Sequence, residues 1–198
     1  MSKPISTEKY QMLYNETAKL RVLSILFKYP EKEFSLSDLA KEAGVAKANI
    51  GEILENLSNI KFIEIIKLAR IWRIKANQKN FEFIKNKITF NLGIIYSTNL
   101  VEFLVNYFKN PKAIVLFGSF RKGDDISTSD IDIAIETTRL EEDKTRLKSL
   151  ESRELKQFEA LIGRKIQIHL FDRKSVDINL FNNIANGIAL WGFLEVKQ

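Results

Sequence analysis

An apolar run over residues 113–117 leads directly into Gly118-Ser119, and after ten intervening residues the chain reads Asp130-Ile131-Asp132. This spacing constrains the fold more than any other feature. The apolar run predicts a buried strand, and Gly118-Ser119 predicts a turn that opens a short helix. Glycine lets a backbone approach a phosphate closely, and the first N–H groups of a helix, with the Ser119 hydroxyl, can hold phosphate oxygens. Arg121 and Lys122 lie one turn on and can offset phosphate charge, and Ser129 is counted with this phosphate-facing group. Asp130 and Asp132 are two apart on an expected strand over 131–135, which aims both at one face. Two carboxylates on one face suit a hard cation such as Mg²⁺, which takes one or two carboxylates plus substrate phosphates. One metal would carry a nucleoside triphosphate, and a second would activate an acceptor hydroxyl. The plainer alternative is a polar turn followed by two solvent-facing aspartates.

Gly-Ser, ten intervening residues and Asp-x-Asp together resemble the signature of the minimal nucleotidyltransferases of the DNA polymerase β superfamily. The resemblance covers residues 112–196 and includes Asn183-Ile-Ala-Asn-Gly187-Ile-Ala-Leu-Trp191-Gly192, which is similar to the end of that domain. It implies an α/β domain with a mixed sheet and transfer of a nucleoside monophosphate from a triphosphate such as ATP to a hydroxyl. It also implies nucleotide contact at Gly118 and Ser119 and metal ligation at Asp130 and Asp132. The family usually supplies a third carboxylate in a pattern like Arg-Lys-Val-Asp-Leu-Val. This chain reads Arg164-Lys165-Ile166-Gln167-Ile168-His169. Gln167 can neither take a proton from a hydroxyl near neutral pH nor give a second metal a negative charge. By period-two alternation His169 shares a face with Gln167. It could serve as base or ligand, although a lone His on a strand is more often a hydrogen-bonded bystander. Asp172 falls on the opposite face.

The other half of the chain carries a different pattern. Residues 16–28 predict an amphipathic helix with Leu20, Leu23 and Phe27 at helical spacing and Ile25 and Leu26 widening the stripe. Tyr29-Pro30 should end it. Ser35 and Ser37 are candidate caps for a short helix through Leu39, Ala40 and Ala43, with Gly44 just beyond its end. A helix over 46–58 follows, with Ile50, Ile53, Leu54 and Leu57 on one face, then two β-rich runs over 61–67 and 71–75. Residues 16–75 resemble the helix-turn-helix and wing of winged-helix regulators. That resemblance implies a helix in the major groove of DNA with Lys47 and Asn49 at its first turns, Asn being able to read adenine. Lys67, Arg70 and Arg73 on the hairpin would meet phosphate. The alternative is a small helical domain for protein contacts, which Glu52 and Glu55 on the same helix would suit.

Charge favours the DNA reading. Residues 1–80 hold 14 Lys/Arg against 9 Asp/Glu, whereas residues 112–198 hold 14 against 14. A positive excess confined to one half is the footprint of a nucleic-acid module joined to something else. With no Cys, neither disulfides nor thiolate metal sites can form. No apolar run follows the first charged residues and none approaches membrane-spanning length, so a cytoplasmic protein without membrane contact is expected.

The expected architecture is α+β. A winged helix-turn-helix domain occupies 1–77, a helical connector 78–110, and a polymerase β-like nucleotidyltransferase domain 111–198. The connector should break near Asn91-Leu92-Gly93. Its apolar residues suggest packing on a domain or a homodimer interface. The remaining expected elements are a charged helix over 140–161, a strand over 165–171, a short helix over 180–185 and a strand over 188–196. Two functions fit. One is an Mg²⁺-dependent transferase whose acceptor is a small molecule, a nucleic acid or a partner toxin protein, as in relatives that act as antitoxins. The other is a DNA-binding regulator or antitoxin whose transferase-like domain only binds nucleotide or mediates assembly.

Overall fold

The computed structural model describes residues 17–68 and 71–196. The chain forms two compact units that divide between Phe90 and Asn91.

The first unit begins with α1 (Ala18–Lys28), whose N-terminus is capped by Thr17: its Oγ1 accepts from the Leu20 amide at 3.2 Å. The buried stripe of α1 is Val22, Leu26 and Phe27, and Leu20 is 39% exposed. The face is therefore turned relative to the expected Leu20–Leu23–Phe27 line, because Val22 and Leu26 are the i, i+4 pair that reaches the core. After β1 (Glu33–Phe34), the helix α2 (Leu36–Glu42) starts at Ser35, not Ser37, with Ser35 Oγ accepting from the Asp38 amide at 3.1 Å. Gly44 follows with φ +59°, as a residue beyond a helix end should. Arg21 Nε donates to the Ala43 carbonyl at 3.1 Å and so ties α1 to the end of α2. The next helix, α3 (Lys47–Asn59), buries Ile50, Leu54 and Leu57.

Two antiparallel strands, β2 (Ile63–Leu68) and β3 (Ile71–Ala76), follow, and β1 adds to β3, giving the order β1-β3-β2. Alternation puts Ile63 and Ile74 inside and leaves Ile66 about half exposed at 53%. The core closes on aromatic rings: Phe83 lies 5.0 Å from Phe27 and 5.9 Å from Phe62, centroid to centroid.

Phe83 belongs to α4 (Phe81–Ser97), which runs unbroken through residues 91–93 and crosses the division between the units. The expected break there is corrected for a physical reason. The buried Asn91 amide donates to the Phe120 carbonyl at 2.8 Å and to Asp125 Oδ1 at 2.9 Å, so it does not turn back on its own backbone. Gly93 alone costs a helix only about 1 kcal/mol. The break comes at Asn99, left-handed at φ 56°, after Thr98 Oγ1 has donated back to the Ile94 carbonyl at 2.9 Å. Among the described residues no single helix is long and apolar enough to cross a membrane; α4 and α5 (Leu100–Tyr107), bent by 51°, pass that test only when taken together.

The second unit is built on a four-stranded mixed sheet. Strands β4 (Ala113–Phe117) and β5 (Ile131–Glu136) are antiparallel, and the short helix α6 (Gly118–Lys122) lies between them. The expected charged helix is two helices, α7 (Leu140–Ser152) and α8 (Glu154–Ile162). Arg153 leaves helical geometry at φ −139°, ψ −68°, and the change of course lets α8 bury Leu155, Phe158 and Ile162. Strand β6 (Ile166–Phe171) then pairs parallel to β5, and β7 (Ile188–Gly192), reached through α9 (Ile178–Ala185), pairs antiparallel to β4. The order is β6-β5-β4-β7. Strand β7 stops at Gly192, four residues short of the expected end, because φ there is +69°.

Register sorts the two faces. Ile114, Leu116, Ile133, Ile135 and Ile168 are buried on one. On the other, Ala113, Val115, Phe117, Ala134 and Phe171 pack with Ile184, Leu180 and Phe181 of α9. That cover stops short of Asp132, Gln167 and His169 on the same face, and the polar chemistry gathers there.

Candidate active site

Strand β4 ends by handing Phe117, in extended geometry, to Gly118 at φ +73°. An L-residue rarely adopts that conformation. Space disfavours a side chain as well, because a Cβ on Gly118 would overlap Asp132 Oδ2 unless that carboxylate moved aside. The glycine is thus favoured twice, and the Asp132 carboxylate faces the turn. Ser119 follows as the second residue of α6 and is half-buried.

Asp132 is the register partner of Phe117 on one side and of Gln167 on the other. His169 is the partner of Ala134, so Asp132, Gln167 and His169 share a face as alternation predicts. His169 Nε2 lies 3.4 Å from Asp132 Oδ1, and its ring meets the Phe117 ring edge-on at 5.1 Å. The side chains of Asp132 and His169 are 24% and 27% exposed. A carboxylate so placed is reachable by a ligand and is still held in position by its neighbours.

Asp130 differs from expectation. Strand β5 begins at Ile131, whose amide donates to the Lys165 carbonyl at 2.8 Å, so exposed Asp130 sits in the loop just ahead of it. Ser129 closes that loop: its Oγ accepts from the Ile126 amide and its amide donates to the Ile126 carbonyl, both at 3.0 Å. Arg121 and Lys122 occupy the last turn of α6. Lys122 is exposed, whereas Arg121 is half-buried with its Nε sealed away from solvent. Asp172 Oδ1 accepts from the Lys174 amide at 2.7 Å, so this carboxylate shapes the turn after β6. Among the described residues no group of three or more His, Cys, Asp or Glu could hold a metal ion.

The sequence reading missed the support for the Asp130 loop. Arg164 is only 8% exposed, and its Nη1 donates to the Ser127 carbonyl at 2.9 Å. Its Nη2 lies 4.0 Å from the buried Asp125, the carboxylate that also receives Asn91. These three polar residues, distant in sequence, hold the loop over 124–129. The one available signal was a pair of adjacent aspartates, Asp124 and Asp125, more than a turn needs.

In the first unit, Lys47 opens α3 and is exposed, as is Asn49. Lys67 Nζ sits 4.2 Å above the Trp72 ring and 3.6 Å from Glu55. Arg73 makes a two-pronged bond with Glu33, Nη2 to Oε2 at 2.9 Å, and the guanidinium holds that carboxyl below its ordinary pKa. Arg70 lies outside the described residues.

Comparison with known proteins agrees with this geometry. Residues 98–192 match the family model described as polymerase beta, nucleotidyltransferase. The match spans the sheet, the glycine turn and the aspartates, and supports the nucleotidyltransferase superfamily, and with it nucleotidyl transfer, for this part of the chain. No curated protein matches the chain significantly.

Proposed function

We propose that the second unit is an Mg²⁺-dependent nucleotidyltransferase that moves a nucleoside monophosphate from a nucleoside triphosphate to an acceptor hydroxyl. The observation that carries this reading is the Asp132 carboxylate set against the Cβ-free turn at Gly118. Asp130 and Asp132 are hard oxygen donors and suit one Mg²⁺ that completes its shell with triphosphate oxygens and water. Bound there, the ion would supply positive charge to the triphosphate.

The rest falls to the chain. Gly118 lets the backbone come close to a phosphate, and the amides opening α6 with the Ser119 hydroxyl donate to its oxygens. The acceptor oxygen bonds to the α-phosphorus, the bond from that phosphorus to the α,β-bridging oxygen breaks, and pyrophosphate leaves with the electron pair. The hydroxyl proton goes to water or to His169, whose distance from Asp132 suits a group that orients the carboxylate or relays a proton. Gln167, beside Asp132 where the family usually has a third carboxylate, contributes no charge.

For the first unit, the succession of α1, β1, α2, α3, β2 and β3 supports the winged-helix reading, with Lys47 and Asn49 exposed at the start of α3 to meet DNA. The ion pairs of Lys67 and Arg73 hold the hairpin's basic groups in place and reduce the charge they offer to phosphate. A mobility shift at low salt that fades steeply as salt rises would support DNA binding, and none at low salt would remove it.

Gln167 favours a second reading, a regulator that binds nucleotide without turnover. Labelled ATP, Mg²⁺ and a panel of hydroxyl acceptors decide between them. A transferase labels an acceptor, and Gln167→Asp, which adds the missing negative charge, is expected to raise that rate about tenfold or more. ATP binding with no labelling by either form selects the regulator. Gly118→Ala, which pushes Asp132 aside and strains φ, is expected to lower transfer about a hundred-fold, the usual cost of misplacing reacting groups by an ångström. Transfer at the wild-type rate in that variant would remove the glycine turn from the site.

A further inference from the structure

Beside Asp130 a cleft of about 730 Å³ opens between the loop before β5, one side of α8 and the turn that leads into β6. Of the site described above it shares Ser129 and Asp130; neither Gly118, Asp132 nor His169 lines it. Its lining is polar and carries both signs of charge. Lys156, Arg164 and Lys165 line it against two acids, Asp130 and Glu159, and only Ala160 contributes an apolar side chain. Glu159 is already engaged, its Oε1 accepting from the Ile166 amide at 2.9 Å. Asp130 is the carboxylate assigned above to the cation.

The floor is built and not merely exposed. Arg164 has a side chain 5% exposed, its Nη1 is fixed by the carbonyls of Ser127 at 2.9 Å and Gly163 at 3.4 Å, and its Nη2 lies 4.0 Å from the buried Asp125. Lys156 and Lys165 rise at the rim, both exposed. Ser127 and Thr128 add polar groups on the loop side. So polar a cleft gives an aromatic base little to stack on and offers an anion the two mobile ammonium groups of Lys156 and Lys165. The volume is ample for a group the size of one or two nucleotides. The triphosphate is assigned to the Gly118 turn, so an anion here belongs to the other reactant.

We infer that this cleft is the acceptor subsite and that it selects an acceptor carrying a phosphate ester near its free hydroxyl. The phosphate lies against Lys156 and Lys165, and the hydroxyl reaches past Asp130 toward the α-phosphorus. The assignment as acceptor rests on the transferase reading; the phosphate site does not. A nucleic-acid 3′ end and a small phosphorylated sugar share this chemistry.

The test uses the full chain with Mg²⁺ and α-labelled ATP. The acceptors are a 5′-phosphorylated trinucleotide, ribose 5-phosphate, and the unphosphorylated nucleoside and ribose. Phosphorylated acceptors should be labelled at least tenfold better than their plain counterparts. Labelling of the trinucleotide alone identifies a nucleic-acid end, and labelling of both identifies the phosphate itself. Lys156→Glu/Lys165→Glu, two exposed positions, should raise the acceptor KM at least tenfold and leave the ATP KM within twofold. Labelling that ignores the phosphate, or an ATP KM that rises instead, overturns the inference. Direct binding of a fluorescent 5′-phosphorylated trinucleotide separates the two claims. If nothing is labelled yet the trinucleotide binds and the double variant weakens it tenfold, the transferase reading fails and the phosphate cleft stands. Equal binding by both proteins removes the cleft.

Discussion

Asp132→Asn is expected to lower nucleotidyl transfer about a thousand-fold while the protein stays folded. Asparagine keeps the shape of the side chain, and at 24% side-chain exposure the group is not part of the sealed core. The change takes away one negative charge at the point where the glycine turn and His169 meet. Charge stabilisation of a phosphoryl group through a metal is worth several kcal/mol, and about 1.4 kcal/mol is a factor of ten in rate, so about three decades follow. Initial rates with labelled ATP measure the loss, and far-ultraviolet circular dichroism checks the fold. Transfer within tenfold of wild type in a folded Asp132→Asn protein would mean that the chemistry happens elsewhere.

That site was legible because its signals are local. The strand over residues 113–117, the turn at Gly118 and the face shared by Gln167 and His169 follow from alternation and from what glycine alone can do. The strand was expected over 131–135 and does start at Ile131, but Asp130 was counted on it although it lies in the loop one residue ahead. The contact that fixes this start, the Ile131 amide on the Lys165 carbonyl, comes from far along the chain, and no periodicity within β5 reports it. The Asn91–Asp125–Arg164 cluster was invisible for the same reason. Its members look like surface polar residues until tertiary contacts bury them.

Helix ends show the same division. Ser35 and Gly44 could be read from residue type, since capping and left-handed geometry are chemistry of one or two residues. The break in α4 could not. Asn91 and Gly93 carry breaker signals, but Asn91 spends its amide on Phe120 and Asp125, and the helix turns only at Asn99. Likewise Arg73 and Lys67 read as free cations in sequence, and both have acidic neighbours in space.

Two phenylalanines at the start of α4 turn that lesson into a measurement. Phe81 and Phe83 are two apart, and sequence gives no ground to rank them. Phe81 is 72% exposed and Phe83 fully buried. Positions two apart on a helix lie about 200° round its axis, so one faces water when the other faces the core. Phe83 fills the space between the Phe27 and Phe62 rings. Phe83→Ala therefore leaves a cavity and is expected to cost about 3–5 kcal/mol, a large share of the roughly 5–15 kcal/mol that holds a domain together. Phe81→Ala is expected to stay within about 0.5 kcal/mol. Urea unfolding followed by Trp72 fluorescence, in a Trp191→Phe background so that only the first unit reports, separates them. With a urea dependence of about 1–3 kcal/mol per molar, Phe83→Ala should lower the midpoint by about 1 M or more. Equal midpoints for the two variants would show that α4 does not close this core, and that residues 81–90 serve as a connector after all.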